Sequence, residues 1–358
     1  MYNSSFNLNN KLKSIKNEFY KDLRKIKIDG FSNIKEVSDI CFQTTKIAKD
    51  FIKSFHKNTI VFPGAVKPIY NFLKYSWILN LLAFKSKYIK NFEHIRSNII
   101  LYCILMKYYN KNSFHELLKH LENKSKRKIR EFKFPIPRYV QHYNSCGVVC
   151  MLNAIKVYLP FIKLNKNLEK ELLSRVIYKD YPGNLAPLIA KTSKEIFGIE
   201  AKVFIDMKSY LSKIDEIKNF TKTFYSGNIS EIITFFLEKI KEIEYEEREK
   251  FTFNEIKKLI NNGCMISFVK EVNETLHYNL IFGYKNNKIL VFDPLGFTYE
   301  VSKNEINNTI RNRISLWGCI FYSPLKKILE KMNKTTKKIA TLVKNLENIN
   351  LNNFSQNL

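Results

Sequence analysis

The apolar residues of this chain follow a helical spacing in its first third. They recur every three or four residues over positions 40–55 and again over 68–121. Residues 61–65, which include Pro63 and Gly64, interrupt the pattern. We therefore predict an α-helical N-terminal region with a break near residue 63.

A new domain is predicted to begin just after residue 130. Residues 132–137 read Phe-Lys-Phe-Pro-Ile-Pro, and residues that precede proline avoid the helical region, so this segment is expected to be extended. Three helices are predicted after it, from about Cys146 to Pro160, over about 164–178, and over about 185–197 with Gly198 as the stop.

Strand patterns dominate the later part of this domain. Residues 200–205 form the first predicted strand, and a helix over about 255–262 ends at Gly263. Four more strands are predicted over residues 264–269, 278–284, 289–292 and 317–322. The turn Lys-Asn-Asn-Lys at 285–288 joins the second and third of these four. Most helices are predicted in the first part of this domain and most strands in the second part, and such segregation indicates an α+β fold.

The resulting organisation has three parts. Residues 1–130 form a basic α-helical region of unknown role, residues 131–325 form the α+β domain, and residues 326–358 form a Lys/Asn-rich tail that begins as a helix. Within the domain, residues 209–250 are highly charged and predicted to be mostly helical, including Glu244–Glu249. We interpret them as a solvated insertion.

The net charge of the chain is strongly positive. It amounts to +27, and residues 1–134 hold 27 Lys and Arg against 10 Asp and Glu, an excess of 17. An anionic partner for the N-terminal region, such as nucleic acid, a membrane face or an acidic protein, is one interpretation. A solvated lysine surface is the other, and it is favoured because the lysines are dispersed and no nucleic-acid-binding module is recognisable.

The cysteines and the apolar segments indicate a soluble cytoplasmic protein with free thiols. The six cysteines are spread out without a Cys-x-x-Cys pair, so neither a disulfide framework nor a zinc site is predicted. No cofactor is expected. The first ten residues lack the apolar core of a signal peptide, and the most apolar stretches are far shorter than the roughly 20 residues needed to cross a bilayer.

Cys146 is the candidate nucleophile. It follows the polar pair Asn144-Ser145 and opens an apolar helix, and a helix N-terminus stabilises the negative charge of a thiolate. Gly147 leaves room for a substrate carbonyl to approach. Cys150, one turn later on the same face, is predicted to be a core residue.

His277 and Asp293 are the candidate base and orienting carboxylate. His277 lies eight residues before the turn at 285–288, and Asp293 lies five residues after it. In an ideal hairpin the two are offset by three positions, roughly 10 Å along the strand, and lie on opposite faces. A bulge or a different turn length would correct both. We predict that the hairpin brings them into one neighbourhood.

Several alternatives stay open for these roles. His142 is a rival base, although it lies too close in sequence to Cys146 to suit the geometry easily. Asn279 is an alternative orienting group, Asp293 has the alternative role of capping a turn with Pro294, and His277 that of a structural histidine. Four further histidines in the N-terminal region are interpreted as surface or core residues: His56, His94, His115 and His120.

Stabilising the reaction intermediate requires an oxyanion hole. The Cys146 backbone N–H is one candidate donor. The side-chain amide of Gln141 is a second, provided that residues 142–145 fold back.

Three motifs now resemble a known family. Gln141-x4-Cys146-Gly147, the segment 277–284 that opens with His277, and Phe292-Asp293-Pro294-Leu295-Gly296 are similar to papain-like cysteine peptidases of the bacteriocin-processing (double-glycine leader) type and their stand-alone relatives. The similarity covers about residues 135–323. The chain departs from the pattern at Ser145, where an acidic residue is common, and in the insertion at 209–250.

The resemblance implies a papain-like fold, in which a helical lobe carries Cys146 and an antiparallel sheet carries His277 and Asp293. It implies Gln141 as the oxyanion donor and a peptide or protein, with small residues before the cut, as the substrate. We expect a thiol hydrolase that acts through an acyl-enzyme. The alternatives are an acyl transferase, deamidase or transglutaminase-like enzyme of the same fold, and a basic binding module with an inactive site.

Overall fold

The computed structural model describes the candidate domain almost completely and the N-terminal region in short pieces. The described residues are 42–50, 63–65, 67–69, 71–72, 75–76, 130–212, 215, 225, 227–272, 275–308 and 317–355. The chain divides into two compact units, one made of Met1–Arg127 with Leu325–Leu358 and the other of Lys128–Pro324. The candidate site lies entirely in the second unit.

Three helices follow one another at the start of the second unit. They are α1 (Cys146–Tyr158), α2 (Lys166–Val176) and α3 (Ala186–Phe197). The Asn165 side chain accepts the Leu168 N–H at 2.9 Å and so caps α2. Gly198 ends α3 with a φ of 67°, which is a left-handed conformation that favours glycine. The three predicted helices are confirmed to within two residues at each end.

The charged segment at 209–250 is less solvated than predicted. It begins within the short helix α4 (Met207–Ser212), which follows the strand β2 (Ala201–Ile205), and it contains the helix α5 (Ile229–Lys241) and the strand β3 (Tyr245–Glu247). Helix α5 buries one apolar face, which includes Ile233, Phe236 and Ile240. The predicted helix at residues 244–249 is wrong, because β3 pairs in parallel with β2.

The remaining strands are mostly antiparallel neighbours. After α6 (Phe253–Asn261) come β4 (Cys264–Val272), β5 (Thr275–Lys285), β6 (Lys288–Asp293), β7 (Phe297–Ser302), the short helix α7 (Lys303–Asn308) and β8 (Trp317–Tyr322). Within the described residues the sheet order is β3-β2-β8-β4-β5-β6-β7. With one parallel pair and otherwise antiparallel pairs, the fold is α+β with a mixed sheet.

The chain enters the second unit along the sheet. β1 (Glu131–Lys133) pairs antiparallel with the end of β5, so that Glu131 faces Lys285 and Lys133 faces Gly283. The Phe134 N–H continues this pairing by donating to the Phe282 carbonyl at 2.8 Å. The extended segment expected at 132–137 is therefore partly a strand.

A β-bulge interrupts the pairing of β5 with β6. Lys285 faces Lys288 and Gly283 faces Leu290, but beyond this point Ile281 faces Val291 and Leu280 faces Phe292. Phe282 is the extra residue. Every residue of β5 before the bulge is thereby moved by one position relative to β6.

Helix α1 is the centre of the core. Its residues from Val148 to Ile155 are all fully buried, and it packs against β4 and β5. At its end the Tyr158 hydroxyl lies 2.9 Å from the Gly263 carbonyl and 3.0 Å from that of Phe321, and it accepts the Met265 N–H. A helix that is apolar on all sides is a buried helix, so the position of Cys146 is set by the core beneath it.

The first unit is described only in parts. Residues 42–50 are helical, as are residues 67–69, 71–72 and 75–76, and Pro63–Ala65 form a turn of 3-10 helix. The other residues of the predicted N-terminal helices lie outside the described ones, as do His56, His94, His115 and His120. Helix α8 (Leu325–Ser355) buries a stripe that includes Ile328, Met332 and Ile339. No helix in the described part of the chain is long and apolar enough to cross a membrane.

Candidate active site

Cys146 is the first residue of α1 and is partly exposed. The N–H groups of Gly147 and Val148 both donate to the Asn184 side-chain oxygen, at 2.9 and 3.3 Å, and Asn184 donates to the Asn144 carbonyl at 3.1 Å. Asn184, which precedes α3, therefore takes the place of a local N-cap. Among the described residues no acceptor bonds the Cys146 N–H, which leaves it available as an oxyanion donor.

His277 and Asp293 form a direct pair. His277 Nε2 lies 2.8 Å from Asp293 Oδ1, and the two side chains are 13% and 14% exposed. The bulge at Phe282 reduces their offset from three positions to two, which places both side chains on one face of the hairpin. Diagonal neighbours on one face are about 7–8 Å apart at Cα, within reach of a histidine and an aspartate.

The pKa of His277 is set by the two groups that it contacts. Burial lowers this pKa, but hydrogen bonds with Asp293 and Cys146, together with their negative charge, outweigh burial and raise it to about 9. Because Nε2 faces Asp293, Nδ1 is the ring nitrogen left to interact with Cys146.

Asp293 both orients His277 and caps a turn. Its Oδ1 also accepts the Leu295 N–H at 2.9 Å, and its carbonyl accepts the Gly296 N–H at 2.8 Å. Burial raises the pKa of Asp293, but the hydrogen bonds from His277 and Leu295, and the positive charges of His277 and Lys270, hold it below its usual range. The turn-capping role and the orienting role thus coexist.

Asn279, the alternative orienting group, has other partners. Its side chain is fully buried, its amide nitrogen donates to the His277 carbonyl at 3.4 Å, and its oxygen accepts the Tyr299 hydroxyl at 3.2 Å. Lys270 lies above the Tyr299 ring, 4.7 Å from its centroid. These residues support the backbone of His277, and Asp293 is the group that bonds its ring.

Gln141 lies on the loop before Cys146 and beside the turn that follows Asp293. Its backbone N–H donates to the Pro294 carbonyl at 2.9 Å. Its side-chain Oε1 is buried and has no hydrogen-bond partner among the described residues. The unsatisfied Oε1 is an acceptor, so an incoming donor can complete it, whereas an oxyanion would be bonded by the amide nitrogen of Gln141. The oxyanion role of Gln141 stays a prediction.

His142, the rival base, belongs to a second cluster. Its Nδ1 lies 2.9 Å from Glu169 Oε2 and 3.3 Å from the Tyr139 hydroxyl. The histidine whose pKa Cys146 helps to raise is His277.

Sequence reasoning missed Glu169. Its side chain is fully buried although it is charged, and it receives hydrogen bonds from the loop that leads to Cys146. A signal was present, because Glu169 shares the buried stripe of α2 with Leu172 and Val176 at helical spacing. A lone acidic residue in an apolar stripe requires partners.

The other described cysteines are structural. Cys150, Cys264 and Cys319 are buried, which confirms the prediction for Cys150. Burial, with the negative charges of Cys146, Asp293 and Cys319, raises the pKa of Cys150 well above its usual range. Within the described residues there is no group of three or more His, Cys, Asp and Glu side chains that could hold a metal ion.

Comparisons with known proteins do not add to this geometry. No protein-family model, no curated protein sequence and no solved structure matches the chain.

Proposed function

We propose that residues 128–324 form a papain-like cysteine peptidase, a thiol hydrolase that cleaves a peptide bond through an acyl-enzyme. The observation that carries the proposal is the His277–Asp293 pair at 2.8 Å, together with Cys146 at the start of a buried helix, where it helps to raise the pKa of His277. A nucleophile, a base and a group that orients the base in hydrogen-bond reach are the arrangement that covalent catalysis requires.

The first half-reaction forms the acyl-enzyme. The Cys146 thiolate attacks the scissile carbonyl carbon, and the carbonyl oxygen becomes an oxyanion that the Cys146 N–H and the Gln141 amide stabilise. The intermediate collapses as the C–N bond breaks. The Nδ1 proton of His277 passes to the leaving amine, so that a neutral amine departs and a thioester remains.

The second half-reaction releases the acyl group. Neutral His277 accepts a proton from water, which attacks the thioester carbonyl. The C–S bond then breaks, the acid product leaves, and the thiolate–imidazolium pair is restored. Asp293 stays ionised throughout and holds the imidazole so that Nδ1 faces the sulfur.

The substrate and the location are part of the proposal. The substrate is a peptide or protein with small residues before the cut, as the resemblance to the double-glycine leader peptidases suggests. A reducing cytoplasm is the compartment that suits the free thiols of Cys146, Cys150, Cys264 and Cys319.

The test combines active-site labelling with cleavage. We expect Cys146 to react with a peptidyl chloromethyl ketone and the wild-type chain to cleave members of a peptide library, whereas Cys146→Ala should do neither. Cys150→Ala is the matched control, because it removes a thiol one turn away in the same helix and should keep both activities.

Two results would contradict the proposal. Cleavage that persists in Cys146→Ala would place the chemistry elsewhere. Mass spectrometry with an added amine would reveal a different reaction if the amine were incorporated, as in a transferase, or if the peptide stayed uncut and lost an amide, as in a deamidase.

A further inference from the structure

The buried carboxylate of Glu169 accepts hydrogen bonds from several polar groups of the loop that leads to Cys146. Its Oε1 accepts the N–H of His142 at 2.8 Å, the N–H of Tyr143 at 3.3 Å and the hydroxyl of Ser145. Its Oε2 accepts the Tyr139 hydroxyl at 2.8 Å and lies 2.9 Å from His142 Nδ1. All these partners come from residues 139–145, which we call the entry loop.

The three donors at Oε1 favour the ionised form of Glu169. Burial alone would raise its pKa, but the hydrogen bonds from Ser145, His142 and Tyr139 outweigh burial and hold the pKa below the usual range. An ionised carboxylate only accepts hydrogen bonds, whereas a protonated acid or a glutamine amide also donates. At Oε1 either replacement would direct a donor at the N–H groups of His142 and Tyr143, which are themselves donors, whereas at Oε2 the Tyr139 hydroxyl and His142 Nδ1 can also accept.

The entry loop is fixed at two further points. The Tyr139 backbone exchanges two hydrogen bonds with the Asn153 side chain on α1, at 3.0 and 2.9 Å. The Gln141 N–H is bonded to the Pro294 carbonyl. Glu169 holds the remaining stretch, which contains Ser145 and runs directly into Cys146.

We propose that Glu169 is a positioning residue, whose buried charge holds the entry loop so that Gln141 and the Cys146 N–H face the developing oxyanion. This inference rests on the proposed thiol hydrolase function. Glu169 contacts no reacting atom, so it acts through the loop. It also explains Ser145 at a position where the related peptidases commonly have an acidic residue, because Ser145 links the chain before Cys146 to a carboxylate supplied from α2.

The central variant is Glu169→Gln, which keeps the size of the side chain and removes its charge. We expect kcat to fall about 100-fold, since a small displacement of a catalytic group costs about that factor, with KM changed less than threefold because the residue does not touch substrate. Glu169→Asp keeps the charge and should recover part of the loss. Glu171→Gln is the matched control, since Glu171 lies on the same helix and is 62% exposed.

Two chemical probes distinguish a positioning role of Glu169 from a general loss of structure at the site. Alkylation by iodoacetamide needs the Cys146 sulfur but no oxyanion hole, whereas acetyl-glycyl-glycinal forms a thiohemiacetal whose oxygen occupies that hole. In Glu169→Gln we expect the iodoacetamide rate to stay within about threefold and the affinity for the aldehyde to fall about 100-fold. A merely structural role would change both alike.

The outcomes distinguish this inference from the proposed function. If the wild-type chain binds the aldehyde and Glu169→Gln binds it equally well, the positioning role is overturned and the hydrolase proposal stands. If the wild type neither binds the aldehyde nor cleaves peptides, both are overturned. Should Glu169→Gln not fold, Tyr139→Phe removes a single donor and should show the same split between the probes, and equal loss with both probes would refute the role.

Discussion

The two halves of the candidate site are held in place by different kinds of interaction. The entry loop and Cys146 depend on single side chains from elsewhere in the unit, namely Glu169, Asn153 and Asn184. His277 and Asp293 depend on the backbone pairing of β5 with β6 and on its bulge. We therefore expect the half that holds Cys146 to be sensitive to substitution at distant positions, and the half that holds His277 to be sensitive to changes in strand register.

The largest effect is expected when the orienting carboxylate is removed. Asp293→Ala should lower kcat by about 10³- to 10⁴-fold, because the imidazole loses both its orientation and the charge that stabilises its proton. Asp293→Asn should lose less, since the amide oxygen still accepts the Nε2–H. Steady-state peptide cleavage measures both, and wild-type activity in the two variants would show that neither charge nor orientation matters.

A change of register should be nearly as damaging without touching any catalytic residue. Insertion of one alanine between Phe292 and Asp293 leaves the pairs up to Leu280–Phe292 in place, but it moves Asp293 opposite Tyr278 and so onto the face opposite to His277. We expect activity to fall about 10³-fold, towards that of Asp293→Ala.

The control for this insertion lies in the adjacent turn. A glycine inserted between Asn286 and Asn287 lengthens the turn but leaves every pair of the ladder in place. The activity of this variant should stay within a few-fold of the wild-type activity. If both insertions were equally harmful, register would not be the property that positions the pair.

Stability should depend on pH through His277. Its pKa in the folded protein is raised from 6.5 to about 9, so the stability that it contributes is fully present below pH 6.5 and is lost as the pH rises through 9. Between pH 6 and pH 10, the difference in free energy of unfolding between the wild type and His277→Gln should shrink by about 3 kcal/mol. Urea unfolding at a series of pH values measures it, and a constant difference would contradict the assigned partners.

The smallest effect is expected at the cap of α1. Asn184→Ala leaves the N–H groups of Gly147 and Val148 without an acceptor and should lower the free energy of unfolding by about 1 kcal/mol. Asn165→Ala, which removes the cap of α2, should lose a similar amount. Only Asn184→Ala should change the rate at which iodoacetamide labels Cys146, and equal rates in the two variants would mean that this cap has no influence on the sulfur.

The sequence was most informative where one local pattern decides the structure. The helix that starts at Cys146 is apolar on all sides, Gly198 ends α3, and the strand at Trp317–Tyr322 has the predicted bounds. The need for a bulge in the hairpin could also be predicted from the sequence. The number of residues on either side of the turn gives His277 and Asp293 an odd offset, which puts them on opposite faces unless a bulge or a different turn length intervenes, and the structure has a bulge at Phe282.

The sequence was least informative where a distant partner decides the structure. β3 is a charged three-residue strand that exists because it pairs with β2, and nothing in residues 245–247 indicates that partner. β7 is largely exposed and lacks alternation, so its pairing with β6 was missed. Glu169 lies in the buried stripe of α2, but the groups that hold its charge are 24 to 30 positions away and cannot be read from that stripe.

The three-residue strand β1 has a mechanical consequence. Its antiparallel pairing with β5 continues on both sides, through the Asn286 N–H to the Arg130 carbonyl and the Phe134 N–H to the Phe282 carbonyl. Hydrogen bonds in such a ladder run perpendicular to the strands, so a pull along the chain from before residue 130 loads them together in shear. A force applied to the chain before residue 130 is therefore borne by β1, and this force reaches Gln141 only after the hydrogen bonds between β1 and β5 have broken.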